Sequence, residues 1–364
     1  MSRMFRYLLA SAFVLLAGLA AGCGGDGGSD TAPLAQGRWG HTAISLEDGR
    51  VLIIGGQSTP SRKLTSAEIF DPATETWSAA ASMSEARSSG HRAVRLADGR
   101  VLVAGENDDG TTEIYDPATD QWSAAGTLIQ ARTWASATLL ADGRVLVAGG
   151  LDATKAGREE LMTAEIFDPA TGEWTETTPM EQVHAGHSAV LLEDGKVLVA
   201  GRYMGELFDH EAETWAAGGT PTRERSLGAT ANVLPDGRVL VTGGRFQQGG
   251  WSGAIVPVRT AETYNPASNS WAEAASMSEP REDHASVTLE DGRVMVIGDS
   301  ETEIFDPATG EWTSSGKLKE SHGILSTASL LPDGRVIVVG GRIDTDEGFR
   351  GVDVVEIYDL TEGW

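Results

Sequence analysis

The chain is poor in cysteine, in basic residues and in long apolar runs, and each shortage excludes something. Among 364 residues Cys23 is the only cysteine, so no disulfide within the chain can hold the fold. Acids outnumber bases by 53 to 28, for a net charge of −25, whereas nucleic-acid binding requires a basic field. The sequence therefore predicts no nucleic-acid partner and a fold held together by packing.

The one long apolar run lies at the N-terminus. Arg3 and Arg6 precede it, residues 7–20 form it, and LAAGC follows at residues 19–23. The run is short for a membrane span and typical of a secretory signal, and its end resembles the cleavage site of bacterial lipoproteins. We expect residues 1–22 to be a signal peptide, Cys23 to be lipidated, and residues 23–30 to form a flexible tether.

This N-terminus predicts a location in the bacterial cell envelope, outside the cytoplasm and bound to membrane only through the lipid. No Asp directly follows Cys23, so the inner-membrane retention signal of some bacterial lipoproteins is absent and the outer membrane is favoured. The alternative is ordinary cleavage followed by secretion.

The rest of the chain is repetitive. EIFDPATGEW occurs unchanged at residues 165–174 and 303–312, and five relaxed copies exist. An Asp-Gly pair followed by a basic residue and an apolar run precedes each copy, from Asp48 to Asp333, at a period of about 48 residues. Each repeat holds four short β signals, with the Asp-Gly pair forming a hairpin between the first two.

These motifs resemble the kelch family over residues 37–364, and the propeller is similar to that of galactose oxidase and of bacterial kelch lipoproteins. The resemblance implies an all-β fold, a seven-bladed kelch-type β-propeller of four-stranded antiparallel blades spanning residues 31–364. The seventh repeat stops at Trp364, before most of its outer strand. We expect residues 31–38 to pair into blade 7 and close the ring; a truncated chain is the alternative.

The spacing between motifs indicates which face of the propeller is the binding face. From each motif Trp to the next Asp-Gly pair the distance is always 20 or 21 residues, whereas from that Asp to the following Trp it ranges from 21 to 35. The variation therefore lies between second and third strands, whose loops share one face with the links between blades. Insertions concentrated on one face of a repeat array typically mark the binding face. Repeats 1, 3, 5 and 7 have the long loops; in the others Glu106, Arg202 and Asp299 replace a second glycine.

Arginines cluster towards this face, some just before the first strand of a blade and some where the second strand ends. Such a ring could hold carboxylates bidentately, in acidic peptides or sugar acids; alternatively these arginines pair with motif glutamates such as Glu68 and Glu165. Trp251, in the longest loop, could stack on a sugar or anchor a protein, or fold back on its blade. Ser89, Thr133 and Trp134 are expected to line the mouth. The predicted ligand-binding set is Arg38, Arg87, Arg132, Arg202, Arg225, Arg245, Arg281, Arg342 and Trp251.

Metal sites are weakly indicated. His41, His91, His187 and His284 occupy one repeated position, which favours packing or a backbone hydrogen bond, and His184-x-x-His187 alone is a poor metal motif. Asp344, Asp346 and Asp353 around Gly348 resemble a short calcium loop, although acidic loops are usually just solvated. We expect no cofactor, with calcium as the alternative.

The function predicted from the sequence is recognition of a protein or a glycan through the variable loop face, by a monomeric, non-enzymatic protein. A copper enzyme of the galactose-oxidase kind requires a tyrosine crosslinked to a cysteine, and Cys23 lies outside the propeller; apart from Tyr203, the propeller tyrosines fill a repeated structural slot. The alternative function is a carbohydrate-active enzyme of the sugar mutarotase or isomerase kind, acting at the channel mouth.

Overall fold

The computed structural model describes residues 28–202, 204–225, 227–247, 254–299, 301–346 and 348–360, and every regular element in these ranges is a β-strand. Cys23, Tyr203 and Trp251 lie outside the described residues. No helix that could cross a membrane occurs within the described ranges.

The strands form seven four-stranded antiparallel sheets, each one blade of a propeller. The inner strands are β2 (Thr42–Ser45), β8 (Arg92–Arg95), β13 (Ser136–Leu139), β18 (Ser188–Leu191), β22 (Ala229–Val233), β28 (Ala285–Thr288) and β32 (Thr327–Leu330). The second strands are β3 (Val51–Ile54), β9 (Val101–Ala104), β14 (Val145–Ala148), β19 (Val197–Ala200), β23 (Val239–Gly243), β29 (Val294–Ile297) and β33 (Val336–Val339).

The outer half of each blade holds the EIFD-type motif and the motif Trp. The third strands are β6 (Ala67–Asp71), β10 (Thr111–Asp116), β16 (Ala164–Asp168), β20 (Gly205–Asp209), β26 (Ala261–Asn265), β30 (Glu301–Asp306) and β36 (Val355–Tyr358). The outer strands are β7 (Thr76–Ala80), β11 (Gln121–Thr127), β17 (Glu173–Glu176), β21 (Thr214–Ala217), β27 (Ser270–Ala274), β31 (Glu311–Lys317) and, in blade 7, β1 (Gly28–Asp30).

Local chemistry explains the repeating blade. In the first hairpin the Leu46 amide donates to the Arg50 carbonyl at 2.8 Å, and Gly49 has φ = +85°, a left-handed conformation that glycine adopts without strain. The second strands are fully buried along their length because blades cover both faces. Clusters of apolar side chains between neighbouring blades form the core.

The N-terminal segment closes the ring, as predicted, but its pairing starts earlier than expected. The strand β1 is formed by residues 28–30, which were predicted to belong to the flexible tether. Each inner strand packs beside the next, and β2 of blade 1 packs beside β32 of blade 7. β1 pairs with β36, and the Leu34 amide donates to the Asp353 carbonyl at 3.0 Å. The Trp77 indole donates to the Ala32 carbonyl at 2.8 Å, just as the Trp122 indole donates to Ala81 of the preceding blade. The N-terminal segment therefore supplies the outer strand of blade 7.

The variable loops carry additional strands on one face. Blades 1, 5 and 7 extend as hairpins, and the loop of blade 3 pairs with the link that enters its own blade. These strands are β4 (Gln57–Thr59), β5 (Arg62–Lys63), β12 (Arg132–Thr133), β15 (Leu151–Asp152), β24 (Arg245–Gln247), β25 (Ile255–Pro257), β34 (Arg342–Thr345) and β35 (Gly348–Gly351). The predicted difference between odd-numbered and even-numbered blades is thus present.

Candidate binding face and channel mouth

A cavity of about 430 Å³ lies at the mouth of the central channel. It lies on the side of the variable loops, because link residues such as Ser89, Trp134 and Leu325 line it together with the starts of the inner strands. The side chains of its walls are mainly small and polar, and Arg92 and Asp283 add a basic and an acidic side chain to them.

A belt of backbone hydrogen bonds surrounds this mouth. One residue of each link is here called the mouth position. Six of the seven donate their amide to the carbonyl of the mouth position in the preceding blade, at 2.8–3.3 Å. The seven mouth positions are Gly40, Gly90, Trp134, Gly186, Gly228, Asp283 and Leu325. All except Gly90 have a left-handed φ, between +48° and +74°. Trp134, Asp283 and Leu325 therefore adopt a backbone conformation that strongly favours glycine.

Blades 2 and 3 depart most from the repeat at this mouth. Glu106 takes a position where the odd-numbered blades have glycine, with φ = +65°, and its buried carboxylate accepts hydrogen bonds from the hydroxyls of Ser88 and Thr133. Lys63 lies 3.8 Å from the same carboxylate. Glu106 thus fixes the two links that present Ser89 and Trp134 to the cavity, as predicted. Thr133, which was also predicted to line the mouth, is buried against Glu106 instead.

The five arginines that precede the inner strands are buried, and the structure corrects the prediction that they face the channel mouth. Arg132 donates from Nη2 to Oε1 of Glu165 at 2.6 Å and from Nη1 to the carbonyls of Gly149 and Thr163, and both members of the pair are 0% exposed. Equivalent ion pairs join Arg38 to Glu68, Arg87 to Glu113, Arg225 to Glu262 and Arg281 to Glu303.

The physical reason is that each motif glutamate also accepts backbone amides from the preceding link. Glu165, for example, accepts from Ile129 at 2.7 Å and from Gln130 at 3.0 Å. A buried carboxylate needs a matching charge, and the arginine supplies it. Burial lowers the pKa of Arg132, and Glu165 acts in the opposite direction. The alternative weighed from the sequence, pairing with motif glutamates, is the one observed.

Histidine replaces the arginine in two blades. His184 Nε2 lies 2.8 Å from Glu206, and His322 Nε2 lies 3.6 Å from Glu356. Burial raises the pKa of Glu356, but His322 and the amides of Glu320 and Lys319 outweigh it, so that this pKa is lowered. His184 of the HxxH pattern is thereby used in a structural contact with Glu206. No cluster of three or more possible metal ligands occurs among the described residues.

The three predicted arginines at the ends of the second strands lie on the variable face but are engaged. Arg245 contacts Glu282 at 2.5 Å and Asp283 at 2.7 Å. Arg342 lies over the Phe349 ring, 4.5 Å from its centroid. Arg202 is partly buried and also has an interaction partner. The predicted ring is therefore not an open row of cations.

The repeated histidines join neighbouring blades through hydroxyl groups. His41 Nε2 lies 2.8 Å from Thr327 Oγ1, and His187 Nε2 lies 2.8 Å from Ser136 Oγ. Burial lowers the pKa of His91 to about 4 and that of His284 to about 3, despite the backbone carbonyls that contact His91. These rings are thus neutral near pH 7, consistent with the predicted packing role.

The calcium candidates are not gathered into a site. Asp344 lies in β34, paired across a hairpin with Phe349, and Asp346 lies in its turn. Asp353 follows the hairpin, and all three residues are exposed. The segment forms a β-hairpin, and the described residues contain no group of three or more possible metal ligands there.

Exposed apolar side chains mark the variable face. Of the four large apolar side chains exposed among the described residues, Met162 (42%), Ile255 (59%) and Phe349 (46%) lie on the loops of blades 3, 5 and 7. The fourth, Ile129, lies in the link between blades 2 and 3. Neither these residues nor Arg92 was predicted from the sequence. Arg92 could have been found, because the other six blades place Thr, Ser or Ala there.

Comparison with known proteins agrees with this architecture. The family model described as "Kelch motif" matches residues 48–84 and 136–181. The Kelch repeat-containing protein kel-10 of Caenorhabditis elegans is 30% identical over 174 residues, covering 43% of this chain and 29% of that protein. Kelch-like protein 35 of Mus musculus is 27% identical over 313 residues, covering 82% and 36%. The chain therefore spans about a third of the length of these curated relatives.

A solved structure shares the fold. A fungal alcohol oxidase of the AA5 family, in complex with copper, superimposes with a TM-score of 0.75 at 18% identity, covering 91% of this chain and 76% of that one. The likeness at this identity concerns the fold alone, and the described residues bring together no set of metal ligands that would extend it to copper. The chain thus has a seven-bladed β-propeller fold, and its repeats match the kelch motif at residues 48–84 and 136–181.

Proposed function

We propose that this kelch-repeat propeller binds a protein partner through its variable loop face. The observation that carries the proposal is the placement of Met162, Ile255 and Phe349 on the loops of three different blades of that face. Exposed apolar side chains on loops held by a rigid scaffold are typical of interaction sites. Kelch repeats generally mediate protein–protein interaction, which supports the same conclusion.

The experiment is a crosslinking pull-down from envelope extract with the full chain as bait. The test variant replaces Met162, Ile255 and Phe349 by Ser. The control variant makes three Ser substitutions on the opposite face, at exposed Glu47, Glu193 and Glu290. We expect a protein captured by the parent and the control to be lost from the test variant. Equal capture by all three would refute the use of this face.

A second part of the proposal concerns the cellular location. We infer lipid attachment at Cys23 and an extracytoplasmic position in the cell envelope, supported by the apolar run and LAAGC motif of the first 23 residues. In a bacterial host, palmitate labelling and membrane fractionation of the parent and of Cys23→Ser test this. Loss of both label and membrane association in the variant supports the anchor, whereas unlabelled parent protein in the medium would indicate secretion.

The remaining alternatives are a glycan ligand and a sugar-transforming enzyme. Catalysis at the channel mouth needs an acid and a base free to reach a substrate. There Asp283 is held by Arg245 at 2.7 Å, and His187 and His284 face hydroxyls of neighbouring blades. Binding without chemistry therefore remains the proposed function, by a chain that we expect to be monomeric.

A further inference from the structure

Arg92 breaks the repeat inside the channel. In a repeat protein the equivalent residues report what the scaffold needs at each position. At the equivalent position of the inner strand the other six blades have Thr42, Ser136, Ser188, Thr230, Ala285 and Thr327. A small side chain is thus sufficient to build the blade, and the fold does not require an arginine in blade 2.

The guanidinium of Arg92 is available to a ligand. Its Nη1 donates to the carbonyl of His91 at 2.9 Å, and it takes part in none of the ion pairs found among the described residues. Burial lowers the pKa of Arg92, while the negative charges of Asp283 and Glu106 act in the opposite direction. Asp283 is itself bound by Arg245. A guanidinium has five N–H donors in a planar fork, and this fork matches a carboxylate.

The walls around Arg92 suit a hydroxylated ligand. Ser188 and Ser286 donate their hydroxyl hydrogens to Ala229 and Asn232, which leaves their oxygen lone pairs as acceptors. Ser89 and Ser326 also line the cavity. A cavity of about 430 Å³ with such walls accommodates a ligand of sugar size.

Trp134 is the second departure from the repeat at this mouth. It holds a left-handed φ of +56° where four other blades have glycine, and its indole N–H makes no hydrogen bond within the described chain. Six motif tryptophans, by contrast, donate to the preceding blade. Backbone strain of this kind persists where the surroundings enforce it and often marks a functional site. The Glu106–Thr133 hydrogen bond supplies that enforcement one residue away.

We propose that the channel mouth binds a small carboxylate that carries several hydroxyl groups, a sugar acid, with Arg92 holding the carboxylate and Trp134 covering the sugar face. The Arg92 fork gives charge recognition, the serine oxygens receive hydroxyl groups, and the aromatic ring closes the mouth. This site lies inside the channel and does not depend on the protein partner proposed for the hairpin tips.

Calorimetric titration of the full chain, purified in detergent, tests the site with D-glucuronate and D-galacturonate. D-glucose, D-galactose and acetate are the matched probes that lack the charge or the hydroxyl groups. We expect at least one uronate to bind at least tenfold more tightly than all three. Arg92→Ser, the residue of blades 3 and 4, should weaken uronate binding at least tenfold. Arg92→Lys should fall between Arg92→Ser and the parent.

Two further variants separate the site from general effects. Arg95→Ser removes an exposed arginine of the same strand and should leave uronate binding unchanged. Trp134→Gly should weaken uronate binding without lowering the melting temperature, since glycine fits the left-handed backbone. The proposal is overturned if neither uronate binds, if the neutral sugars or acetate bind equally well, or if Arg95→Ser causes the same loss as Arg92→Ser.

Discussion

The buried Arg132–Glu165 pair offers the most direct test of what holds the propeller together. Changing Arg132 to Met leaves the Glu165 carboxylate fully buried, with backbone amides of the preceding link as its partners. It also removes the donors to the carbonyls of Gly149 and Thr163, at 2.9 and 2.8 Å. Removing one member of a buried ion pair destabilises a protein by about 3–5 kcal/mol. We therefore expect the free energy of unfolding to fall by about 4 kcal/mol, out of a total of about 5–15 kcal/mol.

The assay is urea unfolding of the parent and the variant, followed by both tryptophan fluorescence and circular dichroism so that two-state behaviour is checked. Arg223→Met is the matched control, because Arg223 and Glu273 form an exposed pair, 61% and 65% accessible, at 3.4 Å. Exposed pairs of this kind contribute about 0–1 kcal/mol.

Two further variants test whether the loss in Arg132→Met comes from the unpaired Glu165 carboxylate. Arg132→His should recover part of the loss, because His184 contacts Glu206 in the equivalent position of blade 4. The double change Arg132→Met with Glu165→Leu should be milder than Arg132→Met alone, since no charge is then left unpaired. If Arg132→Met lost no more than Arg223→Met, the pair would not be structural, and Arg132 would return as a candidate for ligand binding.

Three further outcomes follow from the structure. Burial lowers the pKa of His91 to about 4, so on acidification the unfolded chain is protonated at this histidine before the folded chain is, and the free energy of unfolding should fall by about 2 kcal/mol from pH 7 to pH 5. Urea unfolding across this range should show a shallower pH dependence for His91→Gln, and an unchanged slope would contradict the assignment. Deleting residues 28–37 should lower the free energy of unfolding by several kcal/mol, because it exposes the β36 edge and removes buried contacts; an unchanged melting temperature would refute closure by this segment. Gly341→Ala should destabilise far more than Gly143→Ala, since both have left-handed φ but only at Gly341 would a Cβ meet a backbone atom, the His322 carbonyl at 1.8 Å; equal melting temperatures would show that the clash relaxes.

The fold was predictable because its determinants are local and repeated. Asp-Gly hairpins, apolar second strands and motif tryptophans occur seven times, so the strands assigned in one repeat are checked against the other six. The closure of blade 7 was predictable for the same reason, since residues 31–38 resemble the end of the outer strand of blade 2. These inferences needed spacing and residue type, and no knowledge of which side chains meet.

The site was harder to predict because exposure is a property of the assembled ring. Arg132 and Arg245 look alike in sequence, yet one is fully buried beside Glu165 and the other forms ion pairs at the surface. Recurrence of arginine in five blades was itself a sign of a scaffold role. The informative signal was the opposite one, a residue such as Arg92 or Trp134 that differs from its equivalents in the other blades.

An odd number of blades makes strict alternation of tall and low loops impossible. Blades 7 and 1 both carry extended hairpins and are neighbours, and β35 packs against β4 at that junction. The rim consequently has two neighbouring hairpins on one side, and no rotation of the propeller about its axis reproduces it. A partner that contacts this rim can therefore dock in only one rotational setting, so that binding would fix the orientation of the partner about the propeller axis.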